Sequence, residues 1–365
     1  MGNLKSGNLF VFLVENLIWV LVLVALVIFS LLSDNFLTPY NLVNIFVRVA
    51  ALGLLVIGQS FTLITGNFDL SSESTMGLTA MVGGLLIAAV GAGGLGWEVN
   101  PLIAIAVMLV LGCLIGWING TLITRFKMNN FIVTVAMLFI LRGATYIISP
   151  GQSTSFFPES FDFLGSGSIY RIPLANGRFL PIPAAAIFLI LMFIVGHVVT
   201  RYRTFGRNMY AVGSNRAAAE AAGIDSQRVI LAVYIVSGLF AALAGLLEAG
   251  RMDSATPRMG AGMIFSVQAA AVIGGISLFG GRGTMIGAFG GVLLWGILDT
   301  GLNILQVSPF WIEVSRGLLL LFAVFLDAMK VRYLQHIAIR KSLVGNPIGL
   351  QDPAIGITRT KPWTA

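Results

Sequence analysis

The chain has 365 residues, of which 57% are hydrophobic and only 10% are charged, and its mean hydropathy is +0.92. A soluble domain carries about a quarter charged residues, so this composition excludes an ordinary soluble protein and favours a polytopic α-helical membrane protein. The net charge of +7 is concentrated in a few loops and the C-terminal tail, which is typical of membrane orientation rather than of nucleic-acid binding.

Apolar segments of roughly 20 residues, the length needed to cross a bilayer, recur along the whole chain. The first is interpreted as a retained helix, because it is long for a signal-peptide core and lacks a convincing cleavage site. Ten spans are predicted, near residues 9–33, 42–65, 71–92, 101–124, 130–149, 182–200, 229–250, 264–279, 284–304 and 311–329.

Positive charges between these spans predict the orientation of the chain. With the N-terminus inside, the outer loops hold only Arg171, Arg178, Arg251 and Arg258, and the remaining loop arginines and lysines lie on the inner side. The positive-inside rule therefore predicts that both termini are cytoplasmic.

Two segments outside the spans are long. The outer loop 150–181 contains three polar, turn-forming clusters, which argue against a further span there. The tail 345–365 carries prolines at three positions and is predicted to be an irregular cytoplasmic extension. Residues 1–344 are then the transmembrane domain.

Glycines recur at helical spacing in two predicted spans. One stripe is Gly112, Gly116 and Gly120, and the other is Gly287 and Gly291. Such stripes let helices approach closely in lipid, and packing within one chain is the favoured interpretation. Two glycine-rich breaks, at 65–86 and 278–294, are weakly alike and hint at an internal duplication.

Motifs for nucleotide, metal or catalytic chemistry are missing from the sequence. It contains no P-loop, no HExxH and no GxSxG, so ATP binding through a P-loop and the corresponding hydrolases are excluded. His197 and His336 are far apart, and Cys113 is the only cysteine. We expect no catalytic residue, no metal site and no enzymatic activity.

The loop 201–228 is basic and rich in alanine, inside an otherwise apolar chain. A two-turn helix is predicted from Arg216 to Ala222, with Ser214 or Asn215 as its N-cap and Gly223 as its C-cap. A helix this short is marginal in water, so it needs contact either with the rest of the protein or with a cytoplasmic partner. Asp225 is predicted to cap the next span.

Ionisable residues in or near the spans are Arg48, Arg142, Asp299, Glu313 and Arg316. Such residues are costly in a bilayer and are usually functional. Glu313 and Arg316 are spaced to pair on one helix face, and structural pairing is the favoured interpretation for these two.

The densest polar cluster next to a predicted helix start is Asp69, Ser71, Ser72 and Glu73. Aspartate and serine cap helices, and acids suit the positive end of the helix dipole. The alternative is a broken helix that lines a translocation pathway. The residue types alone favour capping.

Five segments resemble one family of transport proteins. They are TGNFDLSSES, GRNMYAVGSNRAAAEAAGI, AAAVIGGISLFGGRGT, GLNILQVSPFW and GLLLLFAVFLD, in that order along the chain. The chain is similar to the permease subunits of carbohydrate-uptake ABC transporters of the ribose, xylose, arabinose and galactose type. The resemblance implies an all-α fold of about ten membrane helices, in a bacterial plasma membrane.

The resemblance also implies partners. The permease would pair with itself or with a sister subunit, contact ABC ATPase subunits inside, and receive sugar from an extracytoplasmic binding protein. No cofactor is expected on this chain, since ATP and Mg²⁺ would bind in the ATPase.

Residue roles follow from the same resemblance. The ATPase-coupling surface spans Arg207 to Gly223, and a second inward turn and a set of pathway candidates accompany it. The coupling residues are Arg207, Asn215, Arg216, Glu220, Ala221, Ala222 and Gly223; the turn is Gly280, Gly281, Arg282 and Gly283; the pathway candidates are Asn67, Asp69, Ser71 and Glu73.

The chain departs from the family pattern at two places. Ser72-Glu73 stands where Val-Gly is usual, and Ile264 and Ser266 stand where a Glu and an Asp are usual. The expected cargo is a monosaccharide or a sugar alcohol. The alternatives are an importer of the same architecture for a nucleoside, an amino acid or a quorum-sensing sugar derivative, or a stand-alone ion-coupled carrier.

Overall fold

The computed structural model describes residues 16–174 and 179–318, and beyond them residues 321, 322, 324, 325 and 329. Helices dominate this part of the chain. They are α1 Leu17–Leu32, α2 Pro39–Ile64, α3 Ser72–Ile87, α4 Pro101–Thr124, α5 Asn130–Ile148, α6 Glu159–Ser166, α7 Ala184–Tyr202, α8 Thr204–Ser214, α9 Arg216–Ala221, α10 Ser226–Met252, α11 Met263–Ile273 and α12 Met285–Ile304. Residues 309–318 are also helical.

Six helices are long and apolar enough to cross a membrane: α2, α4, α5, α7, α10 and α12. They match six of the ten predicted spans. The helices α1, with 16 residues, and α11, with 11 residues, are apolar but shorter. The structure confirms a multi-spanning helical protein, whereas the count of ten and the side of the termini stay predictions.

The predicted span 264–279 is wrong in its extent. Its helix α11 ends at Ile273, and Gly275 follows with a φ of +90°. Only glycine adopts such a backbone at little cost, so the chain turns here instead of continuing as a helix. The predicted tail 345–365 lies outside the described residues.

The central helix is α10, which packs against α2, α3 and α4. A Cβ at Gly112 would clash with the backbone oxygen of Gly238, and one at Gly116 with that of Tyr234. On α12, a Cβ at Gly291 would clash with the Ala270 oxygen. Both glycine stripes therefore serve packing within the chain, as predicted.

Two breaks in the helical structure lie side by side. The first break, residues 65–71, joins α2 to α3, and the second break, residues 274–284, joins α11 to α12. They touch directly, because a Cβ at Gly280 would lie 2.9 Å from Gly66 Cα. The Gly281 N–H also donates to the oxygen of Ile64, the last residue of α2, at 2.8 Å. The two weakly similar segments of the sequence thus belong to two helix–break–helix units that are in contact.

In its described residues, 150–174 and 179–181, the predicted outer loop contains short ordered elements and no further span. Strands β1 Thr154–Ser155 and β4 Ser254–Ala255 pair antiparallel, as do β2 Ser168–Pro173 and β3 Phe179–Pro183. Here the end of the molecule with this hairpin is called the outer end, and the end with α8 and α9 the inner end, following the predicted orientation.

Candidate functional site

The short helix α9 at the inner end has the caps that the sequence predicts. The Asn215 side chain accepts from the Ala218 N–H at 3.0 Å. Gly223, past the C-terminal end, has a φ of +85°. Asp225 accepts from the Arg228 N–H at 3.0 Å and caps α10. These local predictions are confirmed, with the helix ending one residue earlier than expected, at Ala221.

Contacts within the protein hold one face of α9. Arg216 Nε donates to Glu220 Oε1 and to Ser226 Oγ, both at 3.1 Å, and the Ser226 hydroxyl donates to Glu220. These hydrogen bonds, first that of Ser226 and then that of Arg216, lower the pKa of Glu220. The carboxylate therefore stays charged at neutral pH.

The other face of α9 is free. Ala219 is buried, whereas Ala218, Ala221 and Ala222 are exposed together with Gly223. Small exposed residues let a partner approach the helix backbone closely. Arg207, on the preceding helix α8, is also exposed and donates to Thr204 Oγ1 at 3.1 Å.

The second break contacts α8 and so lies next to the exposed surface of α8 and α9. Tyr210 donates its hydroxyl hydrogen to the Gly283 oxygen at 2.8 Å, and burial raises the pKa of Tyr210. Gly280 and Gly281 have φ values of +83° and +70°, and Gly281 lies against the Ser214 backbone. Next to them, Arg282 is exposed. The structure thus brings the predicted coupling residues and the predicted second inward turn onto one continuous inner surface.

Two of the pathway candidates, Asp69 and Ser71, are buried and hydrogen-bonded. Asp69 accepts from the Ser71 N–H at 3.1 Å, from Ser71 Oγ at 2.6 Å and from Ser237 Oγ at 2.7 Å. Asn119 Nδ2 donates to Ser71 Oγ at 2.8 Å. This network ties the first break to α4 and α10.

The prediction that the aspartate and serines of this cluster cap the adjoining helix through their side chains is wrong, whereas Glu73 lies in the first turn of α3, where an acid was expected. Ser71 occupies the N-cap position of α3 without a side-chain capping hydrogen bond. Asp69 lies two residues before this N-cap, and its oxygens accept from Ser71 and Ser237 rather than from an N–H of the first turn of α3.

Glu73 caps a different helix. Its Oε2 accepts from the Ile264 N–H, near the start of α11, at 3.0 Å. Arg142 lies 3.4 Å from Glu73 Oε1 and donates to the backbone oxygens of Pro257 and Met259 at 3.2 and 2.8 Å. The two departures from the family pattern, at positions 73 and 264, therefore meet in one place.

Asn67 lies apart from the other candidates, toward the inner end. Its Oδ1 accepts from Asn130 Nδ2 at 3.0 Å. It lines a cavity of about 460 Å³ together with Arg216 and Glu220. The pathway candidates thus belong to three environments, and only Asn67 faces a cavity shared with the coupling helix.

Sequence reasoning missed an assembly of charged residues at the outer end. The predicted pair of Glu313 and Arg316 is confirmed at 3.0 Å, but Arg316 also binds Asp299 at 2.9 Å. Glu248 and Arg251 form a pair at 2.6 Å beside them. The three-residue spacing of Glu248 and Arg251, which is typical of an ion pair on one helix face, was the sequence feature that could have indicated this assembly. No group of metal-ligating side chains occurs among the residues that the structure covers.

Comparison with protein families identifies the chain. Residues 41–324 match the family described as "Branched-chain amino acid transport system / permease component". The chain belongs to this permease family. The permease is accordingly a component of a transporter and a multi-pass protein of the inner membrane.

Individual relatives cover nearly the whole permease. The ribose import permease protein of Escherichia coli K12 is 35% identical over 317 residues, which are 87% of this chain and 94% of the relative. The ribose import permease protein of Bacillus subtilis 168 is 37% identical over 84% of this chain and 90% of its own length. The L-arabinose ABC transporter permease protein of Azospirillum brasilense is 34% identical, with 84% and 86% covered. No solved structure shows a significant match.

Proposed function

We propose that this permease is the membrane subunit of an ATP-driven ABC importer that translocates a monosaccharide or a sugar alcohol. The observation that carries the proposal is the extent of the likeness to ribose and arabinose permeases, which runs over 84–87% of the chain. The relatives named for allose and galactose permeases, at 35% and 30% identity, point to the same class of cargo.

The proposal includes three partners. ABC ATPase subunits, which carry ATP and Mg²⁺, would dock on the inner surface formed by Arg207–Gly223 and Gly280–Gly283. An extracytoplasmic sugar-binding protein would deliver the cargo at the outer end. A second permease subunit, identical or related, would complete the membrane assembly. The exposed alanines of α9 support the first contact, because they leave the helix backbone accessible.

Reconstitution in proteoliposomes tests the function. The permease with its ATPase and binding protein should take up labelled D-ribose, L-arabinose, D-allose or D-galactose only when ATP is supplied. Uptake by the permease alone, driven by an ion gradient, would instead establish a stand-alone carrier. Because the family description names branched-chain amino acids, L-leucine is the matching test of the alternative cargo.

The coupling surface has its own test in the double variant Glu220→Gln with Gly223→Ala. The first change weakens the bonds to Ser226 and Arg216, and the second places a side chain at a φ of +85°. We expect sugar uptake to fall severalfold per ATP hydrolysed while ATPase activity persists, because α9 no longer holds its shape against the ATPase.

A matched control is available at the outer end. Glu159 is exposed, and Gly151 has a φ of +75° with open space where a Cβ would lie, as at Gly223. Glu159→Gln with Gly151→Ala should leave the ratio of uptake to hydrolysis unchanged. Normal uptake in the Glu220 and Gly223 double variant would overturn the coupling assignment.

A further inference from the structure

A polar cavity of about 330 Å³ lies at the outer end, between α2, α10, α11, α12 and the helical residues 309–318. It is called the outer cavity. Its size suits one small solute. Six ionisable side chains line it: Arg48, Glu248, Arg251, Asp299, Glu313 and Arg316.

The outer cavity reaches deep along its helices. Arg48 lies nine residues into α2 from Pro39, and Trp295 lies nine residues before the end of α12 at Ile304. At 1.5 Å per residue, both are about 14 Å from the outer helix ends. The hydrocarbon core of a bilayer is about 30 Å thick. Ionisable residues at such depth are costly, and they characteristically line a solute pathway.

Charges in the outer cavity balance, with three arginines and three carboxylates. Glu248 pairs with Arg251 at 2.6 Å, and Arg316 pairs with both Asp299 and Glu313 at 2.9 and 3.0 Å. Every carboxylate thus has an arginine partner. A cationic solute would have to displace one of these arginines.

Unused hydrogen-bonding groups remain in the same place. Arg48 makes no hydrogen bond or ion pair with any residue that the structure describes. The buried Nε of Arg316 also has no partner in the described part of the chain. Hydroxyl groups both donate and accept, so a polyhydroxyl solute can bind such free donors and the remaining carboxylate lone pairs together.

Trp295 adds an aromatic surface to the outer cavity. The guanidinium carbon of Arg316 lies 5.9 Å from the centre of its ring. Aromatic rings bury large apolar area, and a sugar ring presents both C–H groups and hydroxyls. An aromatic side chain beside paired charges therefore suits a neutral sugar better than an apolar amino acid side chain.

Helix α11 separates the outer cavity from an inner one. Its first residues, Met263 and Ser266, line the outer cavity. Its end, at Gly274 and Gly275, lines a cavity of about 540 Å³ that also includes Arg282. The 11 residues of this helix thus lie between two openings on opposite sides.

We propose that the outer cavity is the first binding site of this permease for a neutral polyhydroxyl solute, and that α11 is the barrier beneath it. The proposal rests on the proposed function, because it names the place in the membrane subunit where the sugar is held. It places the solute at residues outside the predicted pathway candidates, whose side chains are largely satisfied by the protein itself.

Cysteine protection tests the site directly. Ser266 is replaced by Cys in a Cys113→Ser background, which removes the only native cysteine, and the permease–ATPase complex is treated with a methanethiosulfonate reagent. D-Ribose, L-arabinose, D-allose and D-galactose are added in separate arms, and L-leucine in another. At least one sugar should slow modification severalfold.

The control places the cysteine at Ser153, which is exposed at the outer end and does not line the cavity. Cys at this position should react at the same rate with and without sugar. The proposal is overturned by an unreactive Cys at position 266, by equal rates with every probe, or by protection from L-leucine alone.

A second test uses transport in the complete complex with sugar-loaded binding protein. Arg48→Gln removes a free cation without stranding a partner, and it should lower the sugar taken up per ATP roughly tenfold, as expected from losing one charge-assisted hydrogen bond. Arg258→Gln, an exposed arginine outside the cavity, should leave this ratio unchanged. A misfolded variant would lower uptake and hydrolysis together, so the ratio distinguishes the two causes.

Different results would overturn the outer cavity as a binding site and the proposed importer function. An unchanged ratio in Arg48→Gln, in a wild-type complex that imports sugar with ATP, overturns the outer cavity as the binding site and leaves the importer function standing. A wild-type complex that imports no sugar overturns the proposed function itself.

Discussion

The two breaks, 65–71 and 274–284, lie in segments that are weakly alike in sequence, but they are stabilised in different ways. In the first break, buried polar side chains such as Asp69 and Ser71 fix the backbone through hydrogen bonds to neighbouring helices. In the second, glycines with positive φ fix it by close backbone contact, and Arg282 is exposed. A polar cluster beside a membrane helix therefore need not line a pathway, since it can be fully occupied in holding helices together.

This difference separates residues that hold the helices together from residues that a solute or a partner protein can reach. The first break has little hydrogen-bonding capacity left for a solute, apart from Asn67 at its inner edge. The second break touches a cavity at the inner end and the surface proposed to bind an ATPase. Mutations in the first should mainly lower stability, and those in the second should also affect coupling.

The largest expected effect is that of Glu73→Ala, just after the first break. It leaves Arg142 without its carboxylate in the protein interior and removes the acceptor of the Ile264 N–H. Breaking a buried ion pair costs about 3–5 kcal/mol. The free energy of unfolding of the purified permease, measured by denaturant titration in detergent, should fall by that amount.

Glu159→Ala is the control for this change, because Glu159 is exposed at the outer end. It should alter the free energy of unfolding by less than about 1 kcal/mol. If both variants lose the same stability, Glu73 does not hold α3 to α11.

A smaller loss is expected from Asp69→Ala within the first break. The buried hydroxyls of Ser71 and Ser237 each lose an acceptor, and an unsatisfied buried donor costs about 1–3 kcal/mol. Two such donors would cost about 2–6 kcal/mol together. Removing the buried carboxylate also removes its own cost of burial, which offsets part of this loss, so we expect about 2–4 kcal/mol in the same titration. Asp34→Ala, at an exposed position, should show almost none; a stable Asp69→Ala permease with impaired uptake would instead favour a pathway role.

The smallest effect is expected in the second break, from a pair of glycine substitutions. Gly275 and Gly281 both have positive φ, but only at Gly281 would a Cβ meet backbone, with Ser214 Cα at 2.8 Å and N at 2.9 Å. Gly275→Ala should cost about 1 kcal/mol for its φ, and Gly281→Ala about 2–3 kcal/mol because the Ser214 segment must also move.

Sugar uptake gives a second way to compare the Gly275→Ala and Gly281→Ala variants. Because Gly281 lies beside the end of α8, Gly281→Ala should also lower sugar uptake per ATP, whereas Gly275→Ala should not. Equal thermal stability and equal uptake in the two variants would show that the contact between the second break and α8 is unimportant.

Predictions based on neighbouring residues were the successful ones. Asn215, Gly223 and Asp225 act as helix caps as expected, and Glu313 pairs with Arg316 one turn away. In each case the two groups are separated by a few residues of one helix or turn, so their spacing in the sequence already determines their distance.

Apart from the packing of the glycine stripes, predictions that depended on distant partners were wrong or missing. Capping by the Asp69 cluster failed because Asp69 binds Ser237, 168 residues further along the chain. The outer cavity was missed because its charges come from α2, α10, α12 and residues 309–318. Hydropathy also overestimated the length of α11, since the apolar residues after Ile273 are in a turn.

Composition and local pattern by themselves determined that this is a multi-spanning helical membrane protein, and where the short helix α9 lies in the inner loop. Apolar length and short-range capping are properties of contiguous residues, so no folded structure is needed to recognise them. Only the tertiary structure decided which polar groups are occupied by the protein and which remain free for a solute. That decision depends on partners brought together across the chain, and sequence spacing carries no information about their distance.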